Sequence, residues 1–216
     1  RFVGRGEVKV KGGVDHIMIL SDPETELETR LHYVVYDDSP AMHRYTELVN
    51  RGKDEVIVNH VSSFCLGNFP YFTDDMMRLK LHRFRSCWIY EGNHYVNSLP
   101  ELEVYRDSRN AFVVESIGTW VCKDHIPFFI IEQEEEKLFT AVQIEISQSW
   151  RFELGNGEPR PTGAWLYAQG GLGNETHAGW SCVLKPGDAF VSPKVSLAVA
   201  EKTYENALNM MHTHRE

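Results

Sequence analysis

No run of lysine or arginine occurs in this sequence, and Lys+Arg 22 against Asp+Glu 31 leaves a formal net charge of −9. Neutralising a phosphate backbone needs clustered cations, so a nucleic-acid partner is excluded. No apolar stretch approaches the roughly 20 residues of a membrane helix, which excludes a spanning helix. The CxxC pair is missing as well. Cys65, Cys87, Cys122 and Cys182 lack the close spacing of a zinc knuckle, and four cysteines in 216 residues do not make a disulfide framework. Their neighbours are apolar or aromatic, as in Phe64-Cys65-Leu66 and Cys87-Trp88, so they read as small buried residues in a reducing, cytoplasmic compartment.

Catalytic signatures are equally sparse. There is no GxSxG nucleophile elbow. Gly170-Gly171-Leu172-Gly173 has no GK[ST] after it and no helix start beside it, so it reads as a loop tip rather than a phosphate cradle. His212-Thr213-His214 lacks the i, i+4 spacing that sets two imidazoles on one helix face, and reads as a polar contact, not a metal site. The carboxylate run Glu132-Gln133-Glu134-Glu135-Glu136 repels itself and reads as a solvated turn. Neither a metal nor a cofactor is assigned, and no acid–base pair stands out among 31 acidic residues. Asn174-Glu175-Thr176 is a glycosylation triplet of the kind that arises by chance. The chain opens at Arg1 without a signal peptide, and both ends read as cut from something longer.

What the sequence has is alternation of apolar and polar residues, the mark of half-buried strands. Leu31, Tyr33 and Val35 point one way and Arg30 and His32 the other. Val56–Val61, Leu79–Phe84, Ala111–Val114, Phe128–Ile131 and a long run from Leu138 to Leu154 continue the series. Turn sequences separate them: Asn50-Arg51-Gly52-Lys53, Tyr90-Glu91-Gly92-Asn93, Gly155-Asn156-Gly157-Glu158 and Lys185-Pro186-Gly187-Asp188. Many strands at short spacing imply an all-β sandwich or barrel. Two stretches read as helix: Pro70–Met77, and Thr203–His214 with Tyr204, Leu208 and Met211 at helical spacing. Five tryptophans (Trp88, Trp120, Trp150, Trp165 and Trp180) invite a sugar-stacking reading, although each is more simply a core residue of a large β domain.

Several segments, in order, resemble the N-terminal domain of family 36 glycoside hydrolases, the α-galactosidases and their relatives. They are Leu31–Asp38 with Met42-His43-Arg44-Tyr45 and Asn50-Arg51-Gly52, then Val61-Ser62-Ser63-Phe64, then Leu81–Glu91. Glu115-Ser116-Ile117-Gly118-Thr119 with Pro127-Phe128-Phe129 follows, and then Gly179-Trp180-Ser181, Leu184–Phe190 and Ser192-Pro193. The resemblance spans about Leu27 to Arg215. Ile117 stands where the family usually has arginine, Cys122-Lys123-Asp124-His125 replaces a serine-rich turn, and Lys194 replaces a common glutamate.

The resemblance implies a large antiparallel β-supersandwich of the galactose-mutarotase type over residues 1–202. A short C-terminal helix at 203–216 would then lead towards a (β/α)8 catalytic barrel outside this chain. The family's two catalytic aspartates, which retention of configuration needs about 5 Å apart, lie on that barrel. This chain would therefore hold no catalytic residue and be inactive alone. Its expected partners are its own barrel, an α-galactoside sugar, and copies of itself at an oligomer interface. Trp88 and Trp120, in resembling segments, are the expected substrate-binding residues. Two other readings stand beside this one. One is a free-standing carbohydrate-binding module. The other is a mutarotase-like enzyme drawing an acid or base from His60, His82 or His125, for which no motif is present.

Overall fold

The computed structural model describes residues 1–69, 78–105, 109–157 and 166–215. The helix expected at Pro70–Met77, and Trp165, lie outside the described residues, as does the end of the turn expected at Gly155–Glu158.

Alternation in sequence becomes strand in space. The first half supplies β1 (Phe2–Val10), β2 (Gly13–Ser21), β3 (Leu27–Tyr36), β4 (Met42–Asn50), β5 (Val56–Val58), β6 (Ser62–Phe69), β7 (Leu79–Arg85) and β8 (His94–Ser98). The second supplies β9 (Ala111–Ser116), β10 (His125–Gln133), β11 (Leu138–Glu145), β12 (Trp150–Asn156), β13 (Leu166–Leu172), β14 (Cys182–Leu184), β15 (Ala189–Val191) and β16 (Lys194–Glu201). A one-turn helix α1 (Glu175–Ala178) and the longer α2 (Tyr204–Arg215) are the α-helices among the described residues. The all-β supersandwich with a short C-terminal helix is thus the observed fold.

The larger sheet runs β1-β2-β3-β4-β16-β11-β10-β7-β8, with β15 also paired to β4, and every pairing in it is antiparallel. A four-stranded sheet, β6-β13-β12-β9, packs on it. The interface between them is apolar. Leu81, Phe129, Ile131, Val142 and Ile144 of the large sheet meet Phe64, Trp150, Phe152 and Leu154 of the small one, all of them buried. At its centre the Phe129 and Phe152 rings stack with centroids 3.9 Å apart.

The large sheet's other face is covered too. Phe128, Ile130, Phe139, Ala141, Ala198 and Ala200 pack against Ala207 and Met211 of α2. Ala141 lies opposite Ala198, and Phe139 opposite Ala200, in the β11–β16 register. Methyl side chains on neighbouring strands leave a shallow trough in which the helix can approach closely. The run Phe128-Phe129-Ile130-Ile131 is therefore apolar without alternation because this strand is sandwiched between two layers. Thr203 starts the helix, its hydroxyl oxygen accepting from the Asn206 amide at 3.4 Å.

Several sequence expectations need correction. The run from Leu138 to Leu154 is two strands, β11 and β12, separated at residues 146–149. On β3 the better-buried face carries His32 and Val34, while Val35 is 47% exposed. His32 is drawn in because it stacks on Tyr45 at 4.2 Å and bonds Asp15 at 2.8 Å, a polar cluster that apolar counting does not see. No cysteine is buried: Cys65 is exposed and the other three are half-exposed, all as free thiols. Cys65 lies on a strand of the small sheet, where alternation and not residue character decides which side chains reach the core. The triplet at Asn174 serves as a helix cap, its side-chain oxygen accepting from the His177 amide at 2.9 Å.

The glycine cluster is the clearest correction. Gly170 and Gly171 are buried inside β13, not at a loop tip. A Cβ at Gly170 would lie 2.7 Å from the Arg151 carbonyl oxygen and 3.0 Å from the Phe64 ring. Glycine here lets the Phe64 ring close on the strand. Gly170→Ala is expected to cost on the order of 1–3 kcal/mol by overpacking. Gly4→Ala, where nothing lies within 4 Å, should shift stability by less than about 0.5 kcal/mol. Equal urea-denaturation midpoints for the two variants would remove the close-approach argument.

Candidate functional site

The fold sets the loops that carry Trp88 and Trp120 side by side. Trp88 is in the β7–β8 hairpin loop, Trp120 in the β9–β10 connection, and the Ser86 amide donates to the Asp124 carbonyl at 2.9 Å to join the two loops. Trp88 is 82% exposed, Ile89 77%, Trp120 65% and Ile117 54%. By contrast Trp150 is 1% exposed, while Trp180 packs against Phe190.

The loop backbones are fixed although the rings are out. In the hairpin, the Tyr90 amide donates to the Cys87 carbonyl at 2.9 Å and the Gly92 amide to the Arg85 carbonyl at 2.9 Å. Ile89 sits at φ 73°, a left-handed conformation that a β-branched residue adopts only under constraint. In the other loop the Ser116 hydroxyl donates to the Trp120 carbonyl at 3.0 Å, and the buried Trp150 indole donates to the Val121 carbonyl at 2.7 Å. Exposed apolar side chains on anchored neighbouring loops are suited to covering another apolar or ring-shaped body.

Cations underlie this surface. Arg83 stands over the Tyr95 ring at 5.8 Å and the Phe112 ring at 5.3 Å, and Arg85 over Tyr95 at 6.0 Å. His125 pairs with Arg85 in the β10–β7 register. Burial first, and the Arg83 and Arg85 charges next, push the His125 ring down to about 4, so it is neutral at ordinary pH.

A second grouping frames α2. At its C-terminal end, His43 of β4 reaches Glu145 of β11 through Nε2 at 3.1 Å and meets His214 Nε2 at 3.0 Å. The outer nitrogens are held as well: His43 Nδ1 lies 2.7 Å from the Tyr36 hydroxyl and His214 Nδ1 lies 2.6 Å from the Ser39 hydroxyl. Ser196 donates to Glu145. Burial alone would raise the Glu145 carboxyl, but the bonds from His43 and Ser196 outweigh it and hold it at about 2. At the N-terminal end of the helix, His82 bonds Glu132 at 2.8 Å and His94 at 3.0 Å. The Glu132 carboxyl is lowered, chiefly by that bond from His82.

A third feature is a groove of about 490 Å³ lined by Leu27, Leu31, Arg44, Leu48, His60 and Ser62, among others. Arg44 is 5% exposed and stands over the Tyr33 ring at 5.1 Å. The three histidines considered for a mutarotase-like reaction do not gather in it. His60 lines the groove, His82 is engaged by Glu132 and His94, and His125 lies beside Arg83 and Arg85.

The sequence reading missed the His43–Glu145–His214 cluster. Its members are 102 and 171 residues apart, so no local spacing connects them. His212, the near neighbour of His214 in sequence, is not a member of the cluster.

The fold defines a class of domain, the galactose-mutarotase-like β-supersandwich. Residues 9–101 match the Glycosyl hydrolase family 36 N-terminal domain, the family that the sequence resembles. The fold is similar to the α-galactosidase from Lactobacillus brevis, with TM-score 0.80 and 12% identity over 99% of this chain and 28% of that one. It is similar also to the family 36 α-galactosidase of Geobacillus stearothermophilus in complex with raffinose, with TM-score 0.76 and 14% identity over 94% of this chain and 26% of that one. A galactose mutarotase related enzyme from Lactobacillus acidophilus is matched with TM-score 0.50 and 13% identity over 93% of this chain and 72% of that one. No curated protein sequence is matched. The chain thus spans little more than a quarter of the α-galactosidases whose fold it shares.

The depressed His125 gives a pH prediction. Its folded value, about 4, lies below the ordinary 6.5, so the unfolded chain binds the proton first as pH falls. The stability tied to this ring is fully present above pH ~6.5 and is lost as pH falls towards ~4. Denaturation midpoints measured between pH 7 and 4.5 should fall less steeply for His125→Gln than for the wild type. Parallel curves would show that His125 is not desolvated as described.

Proposed function

We propose that this chain is the accessory N-terminal domain of an α-galactosidase-like retaining glycoside hydrolase. It packs on a (β/α)8 catalytic barrel, and its exposed loop aromatics help to shape the sugar pocket or an oligomer interface. The observation that carries this reading is the coverage: 94–99% of this chain, but only 26–28% of each α-galactosidase, shares one fold. The family match over residues 9–101 supports it. So does the tryptophan surface, because a domain that works beside a barrel should expose apolar area to it. In this reading residues 1–202 form the domain, 203–216 lead towards the barrel, and neither catalytic carboxylate lies within these residues.

A free-standing carbohydrate-binding module is the second reading, favoured by the same two exposed indoles, Trp88 and Trp120. The two readings separate by titration. An accessory domain should show no saturable binding of galactose or melibiose when isolated, whereas a module should.

Purified alone, the chain is expected to release no nitrophenol from a nitrophenyl α-galactoside. Turnover that survives repurification would overturn the reading. In the polypeptide where a barrel follows, Trp88→Ala and Trp120→Ala should each raise KM or lower kcat several-fold. If both constants stay at wild-type values, the pocket role of these residues is wrong.

A further inference from the structure

We propose that His43, Glu145 and His214 form a site for one divalent transition-metal ion of the zinc class, which clamps α2 to the large sheet. The three side chains come from β4, β11 and α2, and their ligand atoms all lie within 4.8 Å of one another. A tetrahedral zinc bound at about 2.0–2.1 Å spaces its donors at roughly 3.3 Å. The present spacings of 3.0 and 3.1 Å about His43 Nε2 need to open by only a few tenths of an ångström.

The surrounding contacts orient the donors as metal sites do. Each histidine has its Nδ1 on a hydroxyl, His43 on Tyr36 and His214 on Ser39, which turns both Nε2 atoms inward. Ser196 donates to Glu145 Oε1, the oxygen that faces His43 Nε2, and so fixes the carboxylate's orientation. Without a cation the arrangement is awkward, because His43 Nε2 faces both a carboxylate oxygen and a second ring nitrogen, and one N–H serves one of them. A cation accepts lone pairs from all three. Two imidazoles with one carboxylate suit zinc and its neighbours rather than magnesium or calcium, which take oxygen. With three protein donors, the fourth position is left to water.

The consequence is mechanical. α2 rests on the alanine trough through a few side chains, and the metal would add a bond from its last turn to two strands of the sheet. Zinc would then fix the direction in which the chain leaves the β domain.

The test uses the 216-residue chain after treatment with EDTA. Titration with Co(II) should saturate at one equivalent with visible d–d bands, Zn(II) should displace it, and Mg(II) should not. His43→Asn and His214→Asn should each abolish stoichiometric uptake, while His212→Asn, outside the cluster, should leave it unchanged. Tyr36→Phe should weaken Zn(II) binding by about tenfold or more. X-ray absorption of the wild-type zinc form supplies a readout that needs no variant: nitrogen and oxygen donors at ~2.0–2.2 Å, without sulfur. Absence of stoichiometric uptake by the wild type overturns the proposal. So does uptake that survives in the His43→Asn/His214→Asn double variant, or a sulfur donor.

Discussion

The constraint on which the rest depends is that the central strands of the large sheet are apolar on both faces. Phe129 and Ile131 look one way, Phe128 and Ile130 the other, and all four are buried. Neither face can be left to water, since burying such a side chain is worth on the order of 1.5–3 kcal/mol. One face recruits the four-stranded sheet and the other recruits α2. The three-layer arrangement is thus set by a four-residue stretch and its counterparts on β11 and β16. The C-terminal helix covers one face of the large sheet as the second sheet covers the other.

That constraint explains which parts of the molecule the sequence disclosed. Strands with one wet face alternate, and their positions could be read directly; so could α2, whose Tyr204, Leu208 and Met211 keep helical spacing. Misreadings arose where a residue's usual preference met an unusual neighbour. His32 is buried because Tyr45 and Asp15 receive it. Cys65 stays exposed because its place on the strand faces it outwards. Gly170 and Gly171 looked like a loop because glycine usually marks one, whereas here the missing side chains admit Phe64 and Ser63 from the neighbouring strand. In each case the deciding partner is remote in sequence.

The candidate surface was legible to a different degree. Trp88 and Trp120 could be singled out because they lie in segments that resemble a family, but the neighbourhood of their two loops could not. It depends on β7 pairing with β10, which sets the loop after one strand beside the loop before the other. The His43–Glu145–His214 cluster was invisible for the same reason, with three elements from the start, middle and end of the chain each bringing one group. Long-range polar clusters of this kind leave no period or motif. They are visible only once the sheet order is known.

The polar groups around α2 also separate two tasks that a single apolar contact would merge. The alanine trough gives close approach but little direction, because methyl groups slide past one another at small cost. Histidine–carboxylate contacts are directional, and they stand at both ends: His82 with Glu132 near Tyr204, and His43 with Glu145 at His214. Apolar packing therefore sets how close the helix lies, and the polar ends set its register and angle. That angle, more than the depth of burial, decides where the last turn of α2 points. A change of a few degrees near Tyr204 grows along the helix towards His214, so polar contacts at both ends hold α2 better than contacts at one end alone.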